Sequence, residues 1–271
     1  MRKLKNVLRA SSCCAFSILM CLPAAGQNAW SEADCVTLLD STSVTVQPNG
    51  SGSFAVYKSF KVQTPKGAVN NHVIKYDYDP LTAFARFKQV TVQRANGETI
   101  QVDVTKTCDY AAPARAIYWG ARQIMLELGR LEPGDVVSYE ISKKGFTYAL
   151  LAGAEDDDAR FIPPMRGQFY DIVPFWVNEP TRRKVYVVSM PMEKELQFQF
   201  YNGACTSSMR YEDGRKVYTF AVDEVFPFRK EPNMVDLFDE APKLMMSSTP
   251  KWEDKSLWFH DLNEAYGSFA A

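Results

Sequence analysis

"LELGRLEPGDVVSYEIS" (residues 126–142) carries the pattern that decides the fold. Upstream of its turn, Ile124, Leu126 and Leu128 occupy alternate positions. Downstream, Val137, Tyr139 and Ile141 alternate with Ser138, Glu140 and Ser142. A period of two puts one set of side chains on each face of an extended strand, so both runs read as half-buried β-strands. Between them, Pro133 fixes φ and Gly134 supplies a positive φ, the requirements of a type II turn.

The same punctuation recurs along the chain. "PNGSG" (48–52), "NG" (96–97), "NG" (202–203) and "DG" (213–214) separate alternating runs, and Asn-Gly and Asp-Gly tolerate the left-handed conformations of tight turns. In "ELQFQFY" (195–201), Leu196, Phe198 and Phe200 share one face, while Gln197 and Gln199 share the other. In "SFAVYKSFKVQ" (53–63), Lys58 interrupts the apolar face of Phe54, Val56, Phe60 and Val62, which predicts an edge or bulged strand. The expected fold is all-β: an antiparallel β-sandwich, as one unit or two packed β subdomains, with a short C-terminal helix.

That helix is read from "STPKWEDKSLWFHDLNEAY" (248–266). Ser248 or Thr249 can cap it, Pro250 suits the first helical position, and Trp258 and Leu262 lie four apart on one face. The face of Trp258 and Leu262 is expected to dock on the sandwich. Glu231–Met246, with Pro232 and Pro242, reads as an extended connector, and "AGAEDDDAR" (152–160) as an exposed loop.

At the other end, residues 1–26 carry four cations, no acid, an apolar run to about Leu22, and small residues at Ala24 and Gly26. This predicts a cleavable secretory signal peptide and a periplasmic or extracellular mature chain. The signal holds four of the 31 cations and none of the 32 acids, so the mature chain carries 27 − 32 = −5. An acidic chain without a basic cluster argues against nucleic-acid binding. No second apolar run is long enough for a transmembrane segment. The domain expectation is 1–26 signal, 27–240 β-sandwich, and 241–271 connector and helix.

Catalytic chemistry finds little footing. Cysteine or serine catalysis needs a base in hydrogen-bond reach, and the histidines are His72 and His260. Cys205, in "YNGACTSS", reads as a small residue near a strand start. Cys35, Cys108 and Cys205 allow one disulfide at most and lack zinc-ribbon spacing. Glu155, Asp156, Asp157 and Asp158 lack the alternating ligands and central glycine of an EF-hand loop, so they read as a solvated run. Asp77 and Asp79 in "YDYDP" share a strand face about 7 Å apart. A glycosidase would accept that spacing, but Asp79-Pro80 serves better as a strand terminator. No cofactor, metal or catalytic residue is assigned. The aromatic pairs Tyr118-Trp119, Phe169-Tyr170 and Phe175-Trp176 each put one ring inward and one outward. Trp119, Trp176, Trp252 and Trp258 form the candidate interaction surface, for an extracytoplasmic protein or a glycan.

The ordered set "VIKYDYDP" (73–80), "FKQVTVQRANGETIQVDV" (87–104), "LELGRLEPGDVVSYEIS", "FWVNEPTRRKVYVVSMP" (175–191), "VYTFAVDEVFPFRKEPNM" (217–234) and "APKLMMSSTPKWEDKSLWF" (241–259) resembles the extracytoplasmic domain of unknown function 3857 over about residues 35–262. The resemblance implies a β-sandwich that usually precedes a transglutaminase-like core in Bacteroidetes and other Gram-negative bacteria. That core carries a Cys-His-Asp triad, its cysteine in a Gly-x-Cys motif at a helix start. Cys205 sits inside the β region instead, and the core is expected to be absent here, so no catalytic residue carries over. The expected function is an exported, non-catalytic accessory or recognition module associated with transglutaminase-like proteins, and a transglutaminase-like domain joins the expected partners of the tryptophan surface. The alternatives are a glycan-binding module or the N-terminal part of such an enzyme.

Overall fold

The computed structural model describes residues 25–112, 120–146, 161–228 and 231–265. The expected signal peptide, the acidic run and Trp119 lie outside these residues, apart from the start of helix α1 (Ala25–Glu32).

One long sheet carries the rest. Its strands are β1 (Cys35–Val46), β2 (Gly52–Val62), β4 (Ala83–Gln93), β5 (Thr99–Gln101), β8 (Val136–Gly145), β10 (Thr181–Pro191), β12 (Thr206–Glu212) and β13 (Arg215–Val225). Their order across the sheet is β12-β13-β10-β1-β2-β8-β4-β5. Two three-stranded sheets cover it. One is ordered β3 (Val73–Tyr78), β7 (Arg122–Glu127), β6 (Cys108–Ala111); the other is β11 (Gln197–Tyr201), β14 (Lys243–Ser247), β9 (Tyr170–Pro174). Short helices α2 (Pro65–Asn70) and α3 (Leu237–Glu240) join strands, and α4 (Trp252–Ala265) follows β14. The architecture is an all-β sandwich with a short C-terminal helix.

The turns behave as their residues dictate. Asp213 and Gly214 both take positive φ (49° and 70°) in the two-residue loop between β12 and β13, the type I′ geometry that matches strand twist. Gly134 takes φ 100° and Asp135 N–H donates to the Glu132 carbonyl at 3.1 Å. This turn does not close a paired hairpin. It carries the chain from β7 in a covering sheet to β8 in the long sheet. The two alternating faces that flank it therefore meet across a core rather than side by side. Asp135, almost fully buried, fixes this corner through Arg94 (2.5 Å) and the Glu132 N–H (2.8 Å).

Two apolar cores result. The first joins Phe60, Phe87, Val90, Val137 and Ile141 of the long sheet to Ile74, Ile124 and Leu126 of the β3-β7-β6 cover. The second joins Val44, Phe54, Val188, Met190 and Phe220 to Val173, Leu244 and Met246 of the β11-β14-β9 cover.

Strand β2 corrects one expectation. It is interior, paired with both β1 and β8, and the register shift lies opposite it between Thr37 and Leu39 of β1. Lys58 breaks the apolar face for another reason. Cross-strand register places Lys184, Asp40, Lys58 and Tyr139 in one polar row across β10, β1, β2 and β8. The row crosses the sheet between the two cores. Lys184 pairs with Asp40 at 2.7 Å, and the Tyr186 hydroxyl donates to Asp171. Glu231–Met246 differs too: β14 forms within it as the middle strand of its sheet, with Leu244 and Met246 buried.

Burial, reinforced by the charges of Asp171 and Asp40, pushes the Tyr76 phenol from 10.0 to about 12. Tyr139 and Tyr186 shift upward for the same first cause. A raised phenol pKa means that folding favours the neutral form. The contribution is complete below the unfolded pKa and disappears as pH climbs through the folded one. Burial lowers the Lys143 amine, which acts in the opposite sense, but three phenols outweigh one amine. The denaturant midpoint is expected to fall between about pH 10 and 12, and less steeply in Tyr76→Phe; a flat profile over that range would contradict this.

Candidate binding face on the small sheet

The outer face of β9-β14-β11 is read from its register. Tyr170, Ser247 and Gln197 form one row across it; Ile172, Met245 and Gln199 form the next; Pro174, Lys243 and Tyr201 the third. The intervening residues, Val173, Leu244 and Met246 among them, point into the second core. An inner face buried along β9 and β14 thus supports an outer face of aromatic rings, amides and a lysine.

Helix α4 completes the face. Ser248 does not cap it as expected. Its hydroxyl closes the sheet end instead, accepting from Phe169 N–H (2.7 Å) and donating to Gln168 (2.8 Å). The helix consequently starts at Trp252, two residues after Pro250. The Asp254 carboxylate reaches back to the Lys251 N–H at 3.1 Å, which satisfies one donor at the helix start. Gln197 holds the approach segment through the Pro250 carbonyl at 2.7 Å.

Trp258 and Leu262 are half-buried, and Trp258 lines a slot of about 230 Å³ with Phe146, Pro163, Pro164, Met165 and Tyr170. On the other side of Lys255 lies a groove of about 420 Å³ floored by Tyr170, Gln197, Gln199, Met245 and Ser247. Trp252, 81% exposed, forms one wall. The Lys255 ammonium sits 5.3 Å from the Tyr170 ring centre and 5.7 Å from that of Trp252, within cation–π range of both. Lys251 and Lys255 line the groove, and among the described residues no carboxylate lines it. Its volume lies within the range of small-molecule sites, about 300–1,000 Å³.

Of the four candidate tryptophans, Trp252 and Trp258 come together here. Trp176 is half-buried elsewhere, edge-on to Phe238 at 4.8 Å. Tyr170 points outward as the Phe169-Tyr170 alternation requires, while Phe169 is buried. Lys255 carried no sequence signal; Gln197 and Gln199 had one, the polar face of an alternating strand.

The catalytic candidates scatter. Asp77 accepts from Gln123 at 2.5 Å on the exposed face of β3, and Asp79 accepts from the Leu81 N–H at 2.9 Å, closing the turn after the strand. His72 faces the Val69 carbonyl at 2.5 Å. His260, Asp261 and Glu264 cluster on α4, all exposed. Cys35, Cys108 and Cys205 are free thiols. Cys35 accepts from the Asn71 amide at 3.2 Å, and burial, helped by Glu179 and Asp34, pushes its thiol to about 11. Cys205 packs on the second core, where burial also raises it. Both shifts run opposite to nucleophile activation.

The family described as "Domain of Unknown Function with solved-structure structure (DUF3857)" matches residues 48–229. A crystal structure from Parabacteroides distasonis, described as a "putative protease", is similar over 80% of this chain at 13% identity with a TM-score of 0.63. An M1 zinc metallopeptidase from Deinococcus radiodurans aligns over 79% of this chain at 14% identity with a TM-score of 0.40. The chain spans about two-fifths of each, 41% and 42% respectively. No curated protein matches it.

Thiol labelling checks the cysteine environments. In the folded protein at pH 8, exposed Cys108 should react with iodoacetamide first and Cys35 only after unfolding; early modification of Cys35 would refute its assigned environment.

Proposed function

We propose, from the premise that this chain belongs to the DUF3857 family, that it is an exported, non-catalytic recognition module that accompanies hydrolytic or transglutaminase-like domains. The carrying observation is the groove between α4 and the small sheet. It combines an exposed indole, a ring-held ammonium and amides on a sheet, and among the described residues none that line it is a cysteine, a histidine or a carboxylate. Such a surface can bind, and its described lining holds no cysteine or histidine from which a transglutaminase-like triad could be built.

Three further features support the reading. The Cys35 and Cys205 thiols are held toward their protonated, unreactive forms. The Parabacteroides distasonis protein, described as a "putative protease", contains this fold in 41% of its length, which leaves the larger part for other work. The basic and apolar residues 1–26 suit export to the periplasm or the cell exterior, and no described helix is long and apolar enough to cross a membrane.

Purified full-length chain is therefore expected to show no thiol-dependent hydrolysis of amides and no transfer of amines onto glutamine peptides. Cys205→Ala should behave identically. Turnover that disappears in Cys205→Ala would overturn the proposal and favour the enzyme alternative.

A further inference from the structure

We infer that the groove between α4 and the small sheet binds a carbohydrate bearing carboxylate groups. This rests on the recognition-module reading and assigns its ligand class.

Charge is the first argument. Residues 27–271 carry 27 cations and 32 acids, yet among the described residues the groove is lined by Lys251 and Lys255 and by no carboxylate. A local reversal of sign on an acidic chain selects an anion. Lys255 is also positioned. Its ammonium lies near two ring faces, which restrains a side chain that would otherwise lose rotamer entropy on binding.

Shape and polarity give the second argument. The groove is lined by side chains of all three strands of the sheet. An extended peptide adds to a sheet by pairing with an edge strand, whereas the middle strand of this floor, β14, is bonded on both sides, to β9 and β11. What the floor offers is side chains. The Gln197 and Gln199 amide nitrogens already donate to the Pro250 and Phe200 carbonyls, so their amide oxygens remain oriented as acceptors for hydroxyl groups. The exposed Trp252 indole supplies a flat apolar surface for the C–H face of a sugar ring. Hydroxyls, a C–H face and a carboxylate occur together in uronic and related acidic sugars.

Calorimetric titration of the full-length chain tests the assignment. The probes are oligogalacturonate, sialyllactose and a muramic-acid disaccharide, each beside its carboxyl-reduced counterpart. At least one acidic probe should bind. Its carboxyl-reduced form should bind at least about tenfold more weakly, and Trp252→Ala and Lys255→Ala should each weaken the acidic probe by a similar factor. Both side chains are largely outside the cores, so thermal melts should confirm folding of the variants. Equal binding of acidic and reduced sugars would overturn the charge assignment while leaving sugar recognition in place. Binding unaffected by both substitutions would overturn the location. No binding by any probe would overturn the ligand class, and capture of a protein partner or a second copy at this face would do so while sparing the recognition module. Thiol-dependent turnover, measured separately, is what would remove the module reading itself.

Discussion

The parallel pairing of β1 with β10, pinned by the Asp40–Lys184 ion pair, is the constraint on which the rest depends. The partners lie 144 residues apart in sequence. Among the described strand pairs this is the parallel one; the others are antiparallel. It brings the half of the long sheet that carries the second core against the half that carries the first. Without it, β10-β13-β12 and the small sheet they support would have no fixed register relative to β2-β8-β4. A one-residue slip would also turn every side chain of β10 to the opposite face, moving Val188 and Met190 out of the second core.

An ion pair suits this position better than another apolar contact. Along the inner face of the long sheet, apolar residues would bury equally well in several registers. The polar row has one low-energy arrangement, because a half-buried charge out of register loses its partner and keeps its desolvation cost. Tyr186 and Asp171 extend the same logic from the sheet to the cover that holds the binding face. The outer side chains of β9 and β14 are therefore held by contacts that run through the core to the middle of the long sheet.

Much of this was legible in the sequence. Alternation and Gly-containing turns located most strands, and Trp258 and Leu262 fall on a half-buried side of α4. Other features were not, for physical reasons. The Pro133-Gly134 turn reads the same whether its strands pair or face each other across a core, since alternation specifies faces and not neighbours. Lys58 reads as an edge signal until Asp40 and Lys184 are known to flank its row. β14 spans five residues between Pro242 and a serine pair, too short for its period to stand out. The candidate binding face draws on residues near 170, 197 and 252. Trp252 was visible as an aromatic in a charged tail, but Tyr170, Gln197 and Lys255 acquire meaning only once β9, β11 and α4 converge.

A double-mutant cycle on Asp40→Asn and Lys184→Met tests the central constraint most directly. Unfolding free energies would be measured in denaturant for the parent, both single variants and the double. The account predicts a coupling energy of about 1–3 kcal/mol, with each single variant losing more stability than its half of the double. Additive losses within a few tenths of a kcal/mol would contradict it, because the pair would then have no role in setting the register that joins the two halves.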